Sequence, residues 1–294
     1  MKKRFCIIIN PIAGKGKTAR KIPELKRIIE TQDKGIFDLY FTEYHEHAIK
    51  LTQQHARDYD AVLAMGGDGT VNEVLRGVIG TGTVMGIIPE GRGNDFARSI
   101  SFSENIQQTL DTILDFHTMV IDVGKIDNNY FMNGVGIGFD GYVNMRNQKR
   151  KWLKGPFSYY YTLLESLMMW KTMNMTIAID GKKIPADSVF LAAIGNGKYC
   201  GGGLNLNPYA EIDDQLLDIC VVNDIGKIKI IRNLKRLKNG SINDLDEVTI
   251  RKCKKIQIFS EDLMPVHYDG EMYYPENNTI ELSIVEKAVR ILRT

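Results

Sequence analysis

Over residues 1–120, short runs of consecutive apolar residues alternate with segments whose apolar positions recur every three or four residues. The runs predict buried strands and the periodic segments predict helices. Strands that are apolar throughout and alternate with helices are typical of a parallel sheet covered on both faces. The first part of the chain is therefore predicted to be an α/β domain, with strands at 4–9, 37–42, 61–64 and 83–88 and helices at 18–31, 48–56, 70–78 and near 94–99.

After Val120 the pattern changes to strand-like segments joined by Gly, Asn and Asp turns, which is typical of a mostly β domain. The strand-like segments are 130–133, 176–179, 188–194, 216–222, 255–259, 279–283 and 288–292. Two segments have helical spacing instead, at 157–170 and 225–238. The last strand is expected to return to the first domain. The predicted division is 1–123, completed by 286–294, and a β-rich domain at 124–285.

Composition narrows the function classes. The net charge of +2, from 38 Lys+Arg and 36 Asp+Glu, gives no bulk attraction for nucleic acid, so no nucleic-acid partner is expected. Four scattered cysteines without a CxxC pair predict neither a zinc site nor a disulfide framework. No apolar run approaches the roughly 18 residues of a membrane span. The chain is predicted to be cytoplasmic, with only peripheral membrane contact.

Three glycine-rich turns follow predicted strands, at 10–18, 65–73 and 89–98. Turns after parallel strands lie at one edge of the sheet, where such sheets bind ligands. Glycine lets the backbone approach a ligand closely, and the amide groups that begin a helix can hold phosphate. Three such turns predict a polyphosphate site, in which Lys15 would neutralise charge and Asp68 would hold Mg²⁺ through water. The alternative for the first turn is a tight turn with solvated lysines. The alternative for the other two turns is a polar side chain that only forms the turn or caps the helix.

Two more specific interpretations of the first turn are weaker. A P-loop needs glycine where Pro11 stands. The dinucleotide pattern is met by Gly14, Gly16 and Ala19, but no acidic residue closes the second strand as that pattern requires.

A candidate membrane surface lies at 149–170, where basic residues precede Phe, Tyr, Leu, Met and Trp side chains. Interfacial helices have this composition. A core helix preceded by a charged segment would have the same composition. The basic helix near 227–238 is a second candidate surface, with a merely solvated face as the alternative.

Together the motifs resemble those of the diacylglycerol kinase catalytic domain, and in particular the soluble bacterial diacylglycerol and lipid kinases. The motifs that carry this resemblance are Asn10-Pro11-x-x-Gly14-x-Gly16, Gly66-Gly67-Asp68-Gly69-Thr70-x-Asn72-Glu73, Pro89-x-Gly91-x-x-Asn94-Asp95-Phe96-Ala97, Gly136-Ile137-Gly138-Phe139-Asp140, Gly195-Asn196-Gly197, Asp213-Asp214-x-Leu216 and Asp269-Gly270-Glu271.

The resemblance implies an N-terminal α/β domain similar to NAD kinase and phosphofructokinase, a C-terminal β-sandwich that takes the lipid, and transfer of the γ-phosphate of ATP to a lipid hydroxyl, with diacylglycerol as the leading substrate. Either Asp269 or Glu271 would be the base, and Glu271 is favoured, with Asp269 close to the metal. A structural Mg²⁺ would be bound by the Asp214 carboxylate and the Glu211 and Leu216 carbonyls. The nucleotide would contact Asn10, Pro11, Ile12, Ala13, Gly14, Thr42, Gly67, Asp68, Gly69, Thr70, Val71, Asn72 and Glu73.

Two residues depart from the family pattern. Arg92 stands where threonine is usual; its guanidinium could hold a phosphate oxygen instead. Gln215 stands where glycine is commoner. An NAD kinase-like enzyme and a nucleotide-binding regulator that has lost catalysis through Arg92 are the alternatives to the lipid kinase. The expected partner is a lipid substrate at the membrane surface, and a homodimer stays open.

Overall fold

The computed structural model describes residues 2–100, 102–103, 105–149 and 156–293, with the backbone alone at 148–149 and 156–160. The chain forms two compact units, residues 1–123 with 286–294 (unit 1) and residues 124–285 (unit 2). The basic residues predicted to begin the first membrane surface lie largely at 150–155, outside the described residues.

Unit 1 is an α/β layer built on a parallel sheet. Its elements are β1 Lys3–Ile9, α1 Ala13–Thr31, β2 Gly35–Phe41, α2 His47–His55, β3 Ala61–Gly66, α3 Asp68–Val78, β4 Val84–Pro89, α4 Asp95–Ser99, α5 Ile106–Asp115 and the beginning of β5 Thr118–Ile126. The strand order is β2-β1-β3-β4, all parallel, and the end of the chain joins β4 through Ile291 opposite Met85. Every residue of β3 is buried, which its uninterrupted apolar run predicts.

Unit 2 is mostly antiparallel. Its elements after β5 are β6 Asn129–Phe131, β7 Gly134–Gly138, α6 Phe139–Lys149, α7 Pro156–Met169, β8 Thr176–Ile179, β9 Lys182–Ile184, β10 Val189–Gly195, β11 Tyr199–Cys200, β12 Leu204–Asn205, β13 Leu217–Asn223, α8 Lys227–Arg232, α9 Leu234–Asn239, β14 Val248–Cys253, β15 Lys255–Phe259, β16 Val266–Tyr268, β17 Glu271–Tyr273 and β18 Thr279–Leu292. One sheet has the order β14-β13-β10-β7-β16-β17, and the other contains β18-β15-β8-β9.

Alternation along β10 separates two cores in unit 2. Ala192 and Ile194 belong to the core shared with Ile177 and Ile256 of the other sheet, which makes the sandwich. The intervening residues of β10, with their neighbours on β13, belong to a second core lined by helices. Successive side chains of a strand point to opposite faces, so this sheet is buried on both sides. The predicted fold class, a parallel α/β domain plus a β-sandwich, is confirmed.

Three details of the prediction were wrong. The expected helix 225–238 is two short helices, because Asn233 leaves helical geometry and its side-chain amide donates to the carbonyl of Lys229 at 2.8 Å. The segments 279–283 and 288–292 form one continuous strand, β18. Helix α5 was not predicted. No helix in the described part of the chain is both long enough and apolar enough to cross a membrane.

Candidate functional site

The three glycine turns of unit 1 are tied together where β1, β3 and β4 end. The backbone N–H of Asn10 donates to the carbonyl of Met65 at 3.0 Å, and that of Glu90 donates to the carbonyl of Gly66 at 2.8 Å. The side-chain amide of Asn10 also donates to Oγ1 of Thr70 at 3.0 Å. The turns therefore share one edge, as the sequence predicted.

Asp68 joins the second turn to the third. Its Oδ2 accepts the backbone N–H of Asn94 at 2.9 Å, and its Oδ1 accepts that of Asp95 at 2.8 Å. The carboxylate thus satisfies amide groups that helix α4 leaves without an intrahelical acceptor. Inside the third turn, Oδ1 of Asn94 accepts the N–H of Gly91 at 2.8 Å. The predicted metal contact of Asp68 would have to use the lone pairs that these bonds leave.

The backbones of the second and third turns pass too closely for side chains. A Cβ on Gly67 would lie 3.0 Å from the Cα of Gly91, and a Cβ on Gly91 would lie closer still to the Cα of Gly67. Since backbone atoms are met on both sides, neither glycine can be replaced without moving a turn. The absence of a side chain at both glycines therefore allows the second and third turns to lie in contact.

The first turn has an unusual backbone. Gly14, Lys15 and Gly16 all have left-handed conformations, with φ of 59°, 60° and 79°, so regular α1 geometry begins after them, near the predicted Thr18. Ile12 is 82% exposed, and its N–H donates to Oδ1 of Asn10 at 3.2 Å. Pro11 and Ala13 complete this loop, which keeps its backbone at the sheet edge.

Glu90 is a site residue that sequence reasoning missed. It is fully buried, and neither oxygen of its carboxylate has a hydrogen-bond partner among the described residues. Its nearest cation is Lys17, with Nζ 3.5 Å from Oε2. Burial raises the pKa of Glu90, against the opposing charge of Lys17. The signal was an acidic residue inside a glycine turn, Pro89-Glu90-Gly91, beside a lysine-bearing turn.

The remaining predicted nucleotide residues of unit 1 lie around this edge with different exposures. The N–H of Thr42 donates to the carbonyl of Ile9 at 2.8 Å, beside the first turn. Val71 and Asn72 are buried, at 5% and 3% exposure, in helix α3, which begins at Asp68. Glu73 accepts the N–H groups of Glu46 and Ala48, both at 3.1 Å, so its carboxylate holds the start of α2. Arg92 is exposed on the third turn.

In unit 2, Asp269 and Glu271 lie at the hairpin between β16 and β17, as predicted. The Asp269 carboxylate accepts three backbone N–H groups, from Met132 at 2.7 Å, Asn133 at 3.0 Å and Gly134 at 2.9 Å. Asp269 therefore anchors the approach to β7. Glu271 is half-buried on β17.

The predicted magnesium loop contains a lysine contact. Oδ1 of Asp214 accepts the N–H of Leu216 at 3.1 Å, and its Oδ2 lies 2.5 Å from Nζ of Lys252. Glu211 is exposed at the start of this loop. Within the described parts of the chain, no three His, Cys, Asp or Glu side chains converge on a metal position. Mg²⁺ could share Asp214 here only by displacing the ammonium group, so the residues as placed do not fit the ion.

An apolar cavity of about 110 Å³ lies in the helix-covered core of unit 2. Its lining is aliphatic and aromatic apart from Asp140 and Asn233. The lining residues are Phe139, Asp140, Val143, Leu163, Leu164, Leu167, Phe190, Leu191, Leu204, Leu206, Val222, Ile225, Ile230, Ile231, Asn233, Leu234, Leu237, Ile242, Leu245 and Val248.

Asp140 links this cavity to a small polar one. The polar cavity is lined by Asp140 and His267 together with Asn133, Lys198 and Asn207, among others. Nε2 of His267 lies 3.0 Å from Oδ2 of Asp140, and its buried Nδ1 has no hydrogen-bond partner in the described chain. Burial by itself lowers the pKa of His267, but the charge and hydrogen bond of Asp140 and the charge of Asp269 raise it above 6.5. Unit 2 therefore contains an apolar cavity and a small polar cavity that share Asp140 as a lining residue.

Comparison with known proteins agrees with this architecture. Residues 4–126 match the diacylglycerol kinase catalytic domain, and residues 133–293 match the YegS C-terminal NAD kinase beta sandwich-like domain. A diacylglycerol kinase of Mycobacterium tuberculosis (strain ATCC 25618 / H37Rv) is 30% identical over 292 residues, which are 97% of this chain and 94% of the relative. One of Staphylococcus haemolyticus (strain JCSC1435) is 31% identical over 277 residues, 92% of this chain and 83% of the relative.

Solved structures resemble the whole chain. Two from Bacillus anthracis str. Sterne, each described as a candidate diacylglycerol kinase, superpose with TM-scores of 0.77 and 0.76 at 27% and 25% identity. Both alignments cover 100% of this chain and 97% of the other.

Proposed function

Because the chain belongs to the diacylglycerol kinase family, we propose that it is an ATP-dependent lipid kinase. It moves the γ-phosphate of ATP to the hydroxyl of diacylglycerol and so produces phosphatidic acid. The observation that carries the lipid assignment is the apolar cavity of unit 2, whose lining includes Asp140, a residue that also lines the polar cavity of His267. An acyl chain needs an apolar space, and a glycerol hydroxyl needs a polar group at its end.

Unit 1 holds the nucleotide. The turns that begin at Asn10, Gly67 and Gly91 supply backbone N–H groups, and Lys15 supplies positive charge for the phosphates. Arg92 holds a phosphate oxygen from the third turn. Phosphoryl transfer requires mainly positioning and neutralisation of charge. Mg²⁺ bound with ATP would supply further neutralisation, and Asp68 in the second turn would orient it through water.

Glu271 is the base that accepts the hydroxyl proton. An alcohol that attacks phosphorus needs a proton acceptor within reach. Asp269 is committed to the backbone by three N–H donors, at Met132, Asn133 and Gly134. These three hydrogen bonds favour Glu271 over Asp269 as the base. The role of Asp269 is then to hold the hairpin that carries Glu271.

The rim of the apolar cavity contacts the membrane from the cytoplasmic side. Leu164, Ile231 and Leu234 line the cavity and yet are 50%, 47% and 37% exposed. Met168 and Ile228 extend the apolar face, at 67% and 68% exposure. Helices α8 and α9 carry basic residues and no acidic one between 227 and 238, namely Lys227, Lys229, Arg232, Lys235, Arg236 and Lys238. Apolar side chains framed by cations fit an anionic bilayer surface.

Phosphate transfer to diacylglycerol in mixed micelles, with NAD as the competing acceptor, tests the proposal. We expect transfer to diacylglycerol. Leu234→Trp should raise the KM for long-chain diacylglycerol and leave the KM for ATP unchanged, because the indole narrows the cavity. Leu263→Trp is the matched control, because Leu263 is exposed and outside the lining. Transfer to NAD alone, or binding of Mg·ATP without turnover of any lipid, would contradict the proposal.

A further inference from the structure

Lys252 lies opposite a buried carboxylate. On the antiparallel strands β13 and β14, Asp218 pairs directly with Lys252. Asp218 is 1% exposed, and neither of its carboxylate oxygens has a hydrogen-bond partner among the described residues. Its Oδ2 lies 3.3 Å from Nζ of Lys252. A carboxylate buried in this way is costly unless a cation faces it, so Lys252 is required here for charge balance.

The ammonium group of Lys252 also contacts the loop that precedes β13. Nζ of Lys252 lies 2.8 Å from the carbonyl oxygen of Tyr209 and 2.5 Å from Oδ2 of Asp214. Together with the ion pair to Asp218, these two hydrogen bonds place three oxygen atoms around the ammonium group. The partners come from the start of the loop, its middle and the strand that follows it. One side chain thereby fixes the path from 209 to 218.

The loop has the backbone of a tight turn around this cation. Gln215 has φ of 64°, a left-handed conformation that glycine adopts more readily than other residues. The turn at Gln215 brings the N–H of Leu216 back onto Oδ1 of Asp214 at 3.1 Å. One oxygen of Asp214 thus serves the turn and the other serves Lys252.

We propose that Lys252 is the built-in cation of the loop 209–218 and takes the place of a structural divalent ion. A carbonyl oxygen and two carboxylates are the kind of ligands that Mg²⁺ binds, but they already surround a fixed positive charge. Folding of this loop therefore needs no metal, whereas turnover still depends on the Mg²⁺ that accompanies ATP. The proposal concerns folding and does not depend on which substrate is phosphorylated.

Thermal unfolding of the nucleotide-free full chain, in EDTA or in excess MgCl₂ at constant ionic strength, tests the proposal. We expect the wild-type midpoint to be the same in both solutions. Lys252→Met should lower the midpoint by on the order of 10 °C, because it leaves Asp218 buried without a cation. MgCl₂ should restore part of this loss in a saturable way, and adding Asp214→Asn should abolish the recovery. Lys255→Met is the matched control, since Lys255 pairs with Glu281 at an exposed position.

Two results would overturn the proposal. One is a magnesium-dependent rise of the wild-type midpoint that Asp214→Asn removes, because it would show that a metal displaces the lysine. The other is a Lys252→Met protein as stable as the wild type. Should Lys252→Met fail to fold, the comparison of the wild type with Asp214→Asn in EDTA and in MgCl₂ still decides.

Discussion

Oδ2 of Asp68 accepts the backbone N–H of Asn94 at 2.9 Å, so a carboxylate in one glycine turn holds the next turn in place. The two residues are 26 positions apart in the chain and follow neighbouring parallel strands. The geometry of the edge where the glycine turns meet therefore depends on a bond between turns as well as on each turn alone.

Asp68→Asn should lower both stability and turnover. Both carboxylate oxygens accept backbone N–H groups, and an amide would present its own NH₂ to one of these donors. We expect a loss of about 1–3 kcal/mol in the free energy of unfolding, measured by urea titration, with lower kcat/KM for ATP. Asp115→Asn, at the exposed end of α5, is the control. Unchanged stability in Asp68→Asn would contradict the structural role of the carboxylate.

Gly91→Ala should distort the nucleotide edge. The added methyl group meets the backbone of Gly67, which cannot rotate away. We expect a cost of about 1–3 kcal/mol in the free energy of unfolding and weaker binding of ATP, measured by calorimetry. Gly226→Ala makes the same change where a Cβ has nothing within 4 Å. Normal ATP affinity in Gly91→Ala would argue against nucleotide binding at this edge.

Arg92→Met should raise the KM for ATP about tenfold, which corresponds to the loss of one charge-assisted hydrogen bond. The KM for the lipid should not change, because Arg92 belongs to unit 1. Steady-state kinetics checks both values, with the exposed Arg57→Met as control. A higher kcat in Arg92→Thr would instead indicate that Arg92 suppresses turnover, as the regulator alternative requires.

Reversal of charge on α8 and α9 should weaken membrane binding. Arg232→Glu with Lys235→Glu should lower the affinity for vesicles containing anionic lipid by at least about 30-fold, from roughly 1 kcal/mol for each basic residue near the surface. Co-sedimentation measures this, and added salt should have a parallel effect. The control is Lys182→Glu with Lys183→Glu, two exposed residues of β9. Equal losses in both double variants would show that binding is non-specific.

The pair of His267 and Asp140 should make stability depend on pH. The pKa of His267 in the folded state is raised above 6.5. The contribution of the pair is therefore fully present below pH 6.5 and is lost as the pH rises through the folded-state pKa. The difference in unfolding free energy between the wild type and His267→Gln should shrink over that interval.

Thermal or urea unfolding at several pH values measures this difference, and His117→Gln, at an exposed position, is the control. In Asp140→Asn the interval should move down in pH, since the main group that raises the pKa is gone. A difference that does not vary with pH would contradict a pKa of His267 that is higher in the folded than in the unfolded state.

The fold class and the approximate position of most elements follow from the pattern of apolar and polar residues alone. Apolar runs such as 4–9 and 61–64 are long enough to predict strands, and the glycine-rich sequences that follow them predict turns. The sequence also indicated that these turns meet, because parallel strands end at a common edge. Helix α5 was missed although its buried residues Ile106, Leu110 and Ile113 have helical spacing. The break at Asn233 was missed because it depends on a side-chain contact with Lys229 that periodicity does not show.

Long-range packing sets which side chains bond to the backbone of other segments and which line the cavities, so the sequence pattern does not show it. Asp68, Glu73 and Asp269 were predicted as site carboxylates, yet each accepts backbone N–H groups from distant segments. The burial of Glu90 and the contact of Lys252 with Asp218 depend on strand register and on turns distant in sequence. A carboxylate looks the same in a sequence whether it meets a ligand, an amide or an ammonium group, because its partner is set by long-range packing.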